Sequence, residues 1–228
     1  MMHNKRELSP PKSRADDGIK HRVVNWLLSG GMGFDKTKDA IGNEVLFSSV
    51  LRRADLLVFS GNLHALEIKS DSDNLTKLSE QLHDYCRSFD KVSVVTTPKH
   101  LPRIQKLLSR NRKIGIIIVR EKGNVEVVRD VMVNKKLDKQ NLLMFLNKSQ
   151  VAALIKTAPK TLSTDEIRKI AAKQCPLELI KKEAYNVLRE KYERLFSRFV
   201  NEFKKFPFVP EDILDLSLSV PRPRYPKE

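Results

Sequence analysis

Two apolar runs separated by a short turn signal constrain the fold of this chain more than any other feature. Residues 54–59 form the first run, residues 63–69 form the second, and Ser60-Gly61-Asn62 separates them. Apolar runs on either side of a glycine-containing turn are typical of a β-hairpin. In a hairpin centred on the glycine, Asp55 lies opposite Glu67, and cross-strand neighbours have Cβ atoms about 5 Å apart. The sequence therefore predicts that two carboxylates converge.

A lysine joins these two acids in the predicted hairpin. Alternation along a strand puts Lys69 on the same face as Glu67. Two carboxylates beside a lysine are typical of a divalent-metal site that cleaves phosphodiester bonds. Mg²⁺ or Mn²⁺ is the predicted cofactor, because hard cations prefer carboxylate oxygens. The alternatives are salt bridges from Lys69 or Arg53 to the acids, or solvation of both acids at a sheet edge.

Further polar residues around the hairpin are candidates for the same site. Gln81 and Tyr85 lie four apart in a predicted helix, so they share one of its faces. Glu44 opens the strand before the hairpin and is a candidate metal ligand, directly or through a water molecule. His64 faces away from Glu67 by alternation and is predicted to be structural.

The order of the remaining elements predicts an α/β fold. Three strands near 44–50, 54–59 and 63–69 precede a helix over 74–89 and a strand over 92–96, which is a βαβ pattern with parallel neighbouring strands. A helix over 101–110 and two more strands complete a central mixed β-sheet flanked by helices, with a helical C-terminal extension. The predicted organisation is a flexible N-terminus, an α/β core, a helical region and an extended proline-rich tail, over residues 1–15, 16–130, 131–206 and 207–228.

The chain is strongly basic, and its charge is unevenly distributed. The formal net charge is +15, and residues 98–148 alone contain 13 Lys and Arg against 4 Asp and Glu. Such an excess predicts a polyanionic partner, DNA first, although charge alone does not exclude RNA. Six basic residues are predicted to contact the phosphate backbone: Lys99, Arg103, Lys106, Arg110, Arg112 and Lys113. Three of them, at positions 103, 106 and 110, are expected to lie on one face of the helix.

The cysteines and the apolar segments indicate a cytoplasmic protein. The two cysteines, Cys86 and Cys175, are far apart and outside any CxxC pattern, which argues against structural zinc and fits a reducing compartment. The first 18 residues lack the apolar region of a signal peptide. No run approaches the roughly 20 apolar residues of a membrane span.

The motif Asp55…Glu67-Ile68-Lys69, followed by Gln81-x-x-x-Tyr85, resembles the PD-(D/E)xK nuclease superfamily, in its RecB-like branch with a QxxxY motif. It also resembles a family of small bacterial and phage proteins assigned to that superfamily. The resemblance implies a restriction-endonuclease-like core and metal-dependent hydrolysis of DNA. It further implies a role for each matching position: metal binding by Asp55, Glu67 and the Ile68 carbonyl, catalysis by Lys69, an upstream acid at Glu44, and accessory roles for Gln81 and Tyr85.

The first helix departs from this family pattern. Many relatives carry a glutamate there, whereas this helix offers Asp16 and Asp17. The predicted function is a Mg²⁺-dependent deoxyribonuclease of DNA repair, phage replication or defence. The alternative is a catalytically inactive nuclease-like module that binds DNA or a protein. The long C-terminal helix predicted over 177–203 is a candidate surface for a homodimer.

Overall fold

The computed structural model describes residues 15–47, 52–121, 123–155, 161–203 and 207–218. Six strands have the bounds β1 Ala40–Phe47, β2 Arg52–Ser60, β3 Asn62–Lys69, β4 Lys91–Thr96, β5 Gly115–Val119 and β6 Val125–Arg129. Seven helices of the described part have the bounds α1 Ala15–Leu28, α2 Leu78–Ser88, α3 Leu101–Leu107, α4 Lys139–Leu143, α5 Lys148–Leu154, α6 Thr164–Gln174 and α7 Leu177–Glu202. The predicted flexible N-terminus falls, apart from Ala15, outside the described residues.

The strands form one mixed sheet in chain order, from β1 at one edge to β6 at the other. The β1–β2, β2–β3 and β5–β6 pairs are antiparallel, whereas β3–β4 and β4–β5 are parallel. The hairpin turns at Gly61, whose φ of 71° suits a residue without a side chain. The predicted α/β fold with a mixed sheet and flanking helices is confirmed.

Helices cover both faces of the sheet. On one face, Tyr192 of α7 stacks on Phe59 of β2, with ring centroids 5.5 Å apart. On the other face, Leu27 of α1 lies beside Val58 and His64, and these three side chains line a common cavity. The buried apolar side chains of the sheet and of the C-terminal helices form one cluster. The helical region after residue 130 therefore packs on the sheet and shares its core.

Several predicted boundaries differ from those of the structure. The first strand begins at Ala40, four residues before the predicted start, and the last predicted positions, 48–50, lie outside the described residues. The helix predicted from Asn74 begins at Leu78, because the Asn74 side chain accepts a hydrogen bond from the Thr76 backbone N–H and closes a turn instead. The helix predicted to reach residue 110 ends at Leu107.

The predicted extended tail is wrong for part of its length. Residues Pro210–Leu216 form a 3₁₀ helix, in which Ile213 and Leu216 are buried. Phe208 is buried as well, and its carbonyl oxygen lies 2.8 Å from the His21 ring nitrogen of α1. Proline at the first turn of a helix needs no backbone N–H, so Pro210 starts this segment rather than preventing it. The rest of the predicted tail, 219–228, lies outside the described residues.

A close contact between β1 and α7 gives a test of this packing. A Cβ atom at Gly42 would lie 2.5 Å from the Tyr192 ring, so Gly42→Ala should destabilise the protein by roughly 1–3 kcal/mol through overpacking. Gly18 in α1 is the matched control, since a Cβ atom there would have no neighbour within 4 Å among the described residues. Gly18→Ala should raise stability by about 0.5–1 kcal/mol. Urea unfolding followed by circular dichroism measures both, and equal shifts would contradict the contact between Gly42 and Tyr192.

Candidate functional site

Three acidic residues on adjacent strands lie at one level of the sheet. The β1–β2 pairs Asn43–Leu56 and Val45–Ala54 flank Glu44 and Asp55, so these two acids occupy opposed positions in the register. The Leu56–Leu66 pair of β2 and β3 likewise brings Asp55 and Glu67 to facing positions. We call Glu44, Asp55 and Glu67 the acid row. The hairpin register predicted from the sequence thus places the two carboxylates side by side.

The Asp55 carboxylate lies where β2 and β3 separate. Backbone pairing between these strands ends at Leu56 and Leu66. Beyond that point the backbone N–H of Ile68 donates to Asp55 Oδ2 at 2.6 Å. The Asp55 side chain therefore takes the place of a strand partner for Ile68, and this contact fixes the carboxylate next to Glu67-Ile68-Lys69 of β3.

The Glu67 carboxylate is almost fully buried, with 2% of the residue exposed. Lys69 Nζ donates to its Oε1 at 2.6 Å, and the Tyr85 hydroxyl donates to its Oε2 at 2.5 Å. The Arg53 carbonyl oxygen lies 3.1 Å from the same hydroxyl. Each Glu67 oxygen thus has a donor, which compensates for burial of the charge. The predicted proximity of Lys69 and Tyr85 to Glu67 is present in the structure.

The crowding of acids changes the ionisation of the site. Burial, followed by the charges of Glu67 and Glu44, raises the pKa of Asp55 to about 8. Burial and the charges of Asp55 and Glu67 raise the pKa of Tyr85 well above its usual value. Burial pulls the pKa of Lys69 down, but the adjacent Glu67 and Asp55 outweigh it and raise that pKa. Lys69 is therefore an ammonium ion at neutral pH, suited to donate hydrogen bonds rather than to accept a proton.

Glu44 has an unusual backbone conformation and a partner that the sequence did not predict. Its φ is +52°, in the left-handed region that few non-glycine residues adopt. Its carboxylate forms an ion pair with Lys20 of α1. Lys20 shares a stripe of α1 with the buried Val23, Val24 and Leu27. A charged residue within an otherwise apolar stripe of a helix is the sequence signal that points to Lys20 as a buried partner of an acid.

The left-handed conformation of Glu44 also changes the face of the sheet toward which the neighbouring side chains of β1 point. Gly42 and Val45 share one face, since a Cβ at Gly42 would lie 2.9 Å from the Val45 side chain. Regular alternation would put positions 42 and 45 on opposite faces. Phe47, two residues further, packs against Tyr85, with ring centroids 4.7 Å apart. The switch at Glu44 therefore lets the end of β1 cover Tyr85.

Among the described residues, Gln81 is not a hydrogen-bond partner of the acid row. Gln81 is half-buried on α2, one turn before Tyr85. Among the described residues, no hydrogen bond joins the Gln81 side chain to Asp55 or Glu67, which instead bind Ile68, Lys69 and Tyr85. Of the two accessory positions, the structure places only the tyrosine against a carboxylate.

The six predicted phosphate-contacting residues are all exposed but do not lie together. Lys99 lies near the end of the sheet that carries Lys69, and its Nζ donates to the Asp71 carbonyl oxygen at 2.7 Å. Arg112 and Lys113 precede β5, whose first residue pairs with Ser93 near the opposite end of β4. The expected single helix face is wrong too, because α3 ends before Arg110. The order of the strands thus separates the six exposed basic residues into two groups. Lys99, Arg103 and Lys106 follow the end of β4 near Lys69, and Arg110, Arg112 and Lys113, the far basic group, lie toward the opposite end of the sheet.

Further polar and basic side chains surround Lys113. Lys113 lines a cavity of about 320 Å³ together with His83, Arg87 and Lys136. Arg87 also forms an ion pair with Asp138 at 2.6 Å. These residues come from α2 and from the segment before α4, so sequence proximity to the basic run at 98–113 could not have grouped them.

His64 lies on the face opposite Glu67, as predicted. Its Nε2 is 2.8 Å from the Ser93 hydroxyl, and burial, with a smaller effect of Lys91, lowers its pKa to about 3. It lines a cavity of about 370 Å³ beneath α1. The buried, neutral imidazole is part of the sheet packing and has no contact with the acid row.

The composition of the acid row bears on metal binding. In the part of the chain that the structure describes, no group of three or more His, Cys, Asp or Glu side chains is arranged as a ready-made metal site. Lys69 and Lys20 contact two of the three carboxylates.

The two cysteines, Cys86 and Cys175, are free thiols. Within the described ranges, no helix combines the length and apolar character needed to cross a bilayer.

Residues 10–217 match the protein family described as Bacteriophage P4 protein cII, and the chain belongs to that family. Protein cII of Enterobacteria phage P4 is 29% identical to it over 189 residues, which cover 80% of this chain and 70% of the phage protein. A solved structure, the SPO1766 protein of unknown function from Silicibacter pomeroyi, matches 82% of this chain and 95% of its own, at 13% identity. Its TM-score of 0.37 supports no argument about fold or function.

The raised pKa of Asp55 predicts how stability depends on pH. A carboxyl that is harder to ionise when folded binds its proton more tightly in the folded state. Stability is therefore lost as pH rises from about 4 to about 8, by at most about 1.4 kcal/mol per pH unit. Asp55→Asn should remove this dependence, so the variant gains stability relative to the wild type as pH rises.

Urea unfolding in EDTA, at intervals between pH 4.5 and 8.5, measures this difference. Asp165→Asn, at an exposed position of α6, serves as the control and should follow the wild type. Parallel curves for Asp55→Asn and the wild type would show that folding does not raise the pKa of the Asp55 carboxyl.

Proposed function

We propose that this protein is a Mg²⁺-dependent deoxyribonuclease whose site is formed by Asp55, Glu67 and Lys69. The observation that supports this most directly is the facing pair of carboxylates, with Lys69 Nζ 2.6 Å from Glu67. The resemblance of the Asp55…Glu67-Ile68-Lys69…Tyr85 pattern to the PD-(D/E)xK superfamily supports the same function. The description of the cII family names no reaction, so the activity rests on the site.

The residues present fit a hard divalent cation. Carboxylate and carbonyl oxygens are the ligands that Mg²⁺ and Mn²⁺ prefer. The register of β2 and β3 puts Asp55 opposite Glu67, and Ile68 is the next residue after Glu67. Asp55, Glu67 and the Ile68 carbonyl would hold the ion. When bound, it would supply Lewis-acid stabilisation of the phosphate and a more acidic water.

The protein side chains around these ligands have distinct roles in this proposal. Lys69, an ammonium ion, donates hydrogen bonds to the attacking water or to the phosphate oxygens on which charge develops. Tyr85 holds Glu67 Oε2 and fixes the orientation of that carboxylate. Lys99, Arg103 and Lys106 lie after the β4 end that is next to Lys69, and they are the proposed contacts to the phosphate backbone near the site.

The far basic group would contact nucleic acid only beyond the cleaved bond. Arg110, Arg112 and Lys113 lie toward the other end of the sheet, so a duplex that reaches them must run along the α3 side of the molecule. RNA remains an alternative substrate, because phosphate contacts do not distinguish the two nucleic acids. A homodimer through α7 is a further proposal. The buried positions of α7, such as Tyr192 and Phe196, already pack within the chain.

An inactive nuclease-like binding module is the second candidate. It is favoured by the ion pairs of Lys20 and Lys69 with the acid row, which satisfy two of the three acids without a metal. Such a module would bind DNA equally well with and without a divalent ion and would leave it uncut.

Cleavage assays separate the two candidates. Supercoiled plasmid, linear duplex, single-stranded DNA and RNA are incubated with the full chain and Mg²⁺, Mn²⁺ or EDTA. The proposed enzyme should cut DNA only with a metal. Lys69→Ala and Asp55→Asn should each lose about 100-fold or more of the rate, the usual size of a proton-transfer or electrostatic contribution.

Two measurements control this experiment. Lys173→Ala removes an exposed lysine of α6, outside the site, and should cut like the wild type. Fluorescence anisotropy in EDTA should show DNA affinity of Lys69→Ala within about threefold of the wild type, because phosphate contacts elsewhere supply most of the affinity. Full cleavage by Lys69→Ala would reject the proposed role of this lysine, and absence of metal-dependent cleavage by the wild type would favour the binding module.

A further inference from the structure

A buried lysine from α1 enters the acid row from outside the motif. Lys20 is 5% exposed, and its ammonium group pairs with the Glu44 carboxylate. A buried ammonium is costly unless charge and hydrogen bonds compensate for it. The cation therefore lies here because the acid row is negative enough to hold it.

The position of Lys20 is fixed by more than the ion pair. Its Nζ donates to Asn43 Oδ1 at 3.2 Å. The Asn43 amide nitrogen donates in turn to the Ser217 hydroxyl at 2.9 Å, and Ser217 is itself buried. The segment after α7 thus orients Asn43, and Asn43 orients Lys20. A surface lysine that contacts an acid by chance has no such support.

The Lys20 charge lies against Glu44, on the strand next to that of Asp55. Glu44 and Asp55 occupy opposed register positions of β1 and β2, between the pairs Asn43–Leu56 and Val45–Ala54. One ammonium group therefore neutralises the Glu44 side of the acid row, while Glu67 and Asp55 remain on the other side.

We propose that Lys20 is a built-in cation that replaces a second divalent metal ion, so that the site takes one ion, between Asp55 and Glu67. Two-metal phosphodiesterases place two ions about 3.5–4 Å apart, with carboxylates shared between them. Here the acid row contains one carboxylate besides those of Asp55 and Glu67, that of Glu44, and Lys20 engages it. This inference rests on the proposed metal-dependent function and specifies its metal stoichiometry. Lys20 is a positioning and charge-balancing residue, not a catalytic one.

The inference predicts metal stoichiometry directly. Isothermal titration of Mn²⁺ into the full chain should give one ion per wild-type chain. Lys20→Met and Lys20→Gln remove the charge and should each give two ions, and Lys20→Gln retains a donor for Asn43. Lys20→Arg retains the charge and should give one. The double variant Lys20→Met with Glu44→Gln removes the freed carboxylate and should return to one.

Each outcome of this titration decides one question. A wild type that binds no Mn²⁺ would reject the proposed function itself. A wild type that binds one ion, with Lys20→Met and Lys20→Gln also binding one at unchanged affinity, would overturn only the role of Lys20. Two ions bound by the wild type or by Lys20→Arg would overturn it as well.

Loss of folding is covered by a second measurement. If the uncharged variants are unfolded in EDTA, Mn²⁺ should restore their circular dichroism and thermal transition, because the proposal holds that a metal ion can take over the charge of Lys20. Variants that stay unfolded at saturating Mn²⁺ would show that Lys20 is needed for packing alone and would overturn the inference.

Discussion

The close approach of like charges on β1, β2 and β3 is the constraint on which the rest of the site depends. Facing carboxylates repel each other, and burial increases the cost because neither can be fully hydrated. Donors from three directions compensate for this cost: Lys69 from the same strand as Glu67, Tyr85 from α2 and Lys20 from α1. Burial, and after it the charge of Glu67, also raises the pKa of Asp55. A site that must be neutralised in so many ways is one that a divalent cation could stabilise.

Helices on both faces of the sheet contact the acid row. Tyr85 reaches Glu67 because the face of α2 that carries Leu78 and Leu82 is buried. Lys20 reaches Glu44 because its neighbours Val23 and Leu27 are buried against the other face. The 3₁₀ segment near the C-terminus supports Lys20 through Asn43. The C-terminal region, which the sequence suggested only as an extension, is therefore part of the support of the site.

Sequence periodicity predicted the central part of the fold because its signals are local. The turn at Gly61 sets the register of β2 and β3, and that register alone makes Asp55 and Glu67 neighbours. The helical spacing of Leu78, Leu82 and Tyr85 predicted the buried face of α2. Boundaries were predicted less well where a side chain competes for the backbone, as Asn74 does before α2. The prolines near residue 210 suggested an extended tail, although burial of Ile213 and Leu216 stabilises a helical turn there.

Alternation along two strands and one glycine turn are enough to predict the hairpin, the opposed positions of Asp55 and Glu67 and the adjacent lysine. The distant groups that meet these residues depend on how separate elements pack. The tertiary structure brought Lys20 to Glu44 across 24 positions of the chain, put the Tyr85 hydroxyl against Glu67, and divided the basic residues between two ends of the sheet. The physical reason is that contacts between separate elements depend on how their apolar faces pack, and a single sequence does not specify that packing locally.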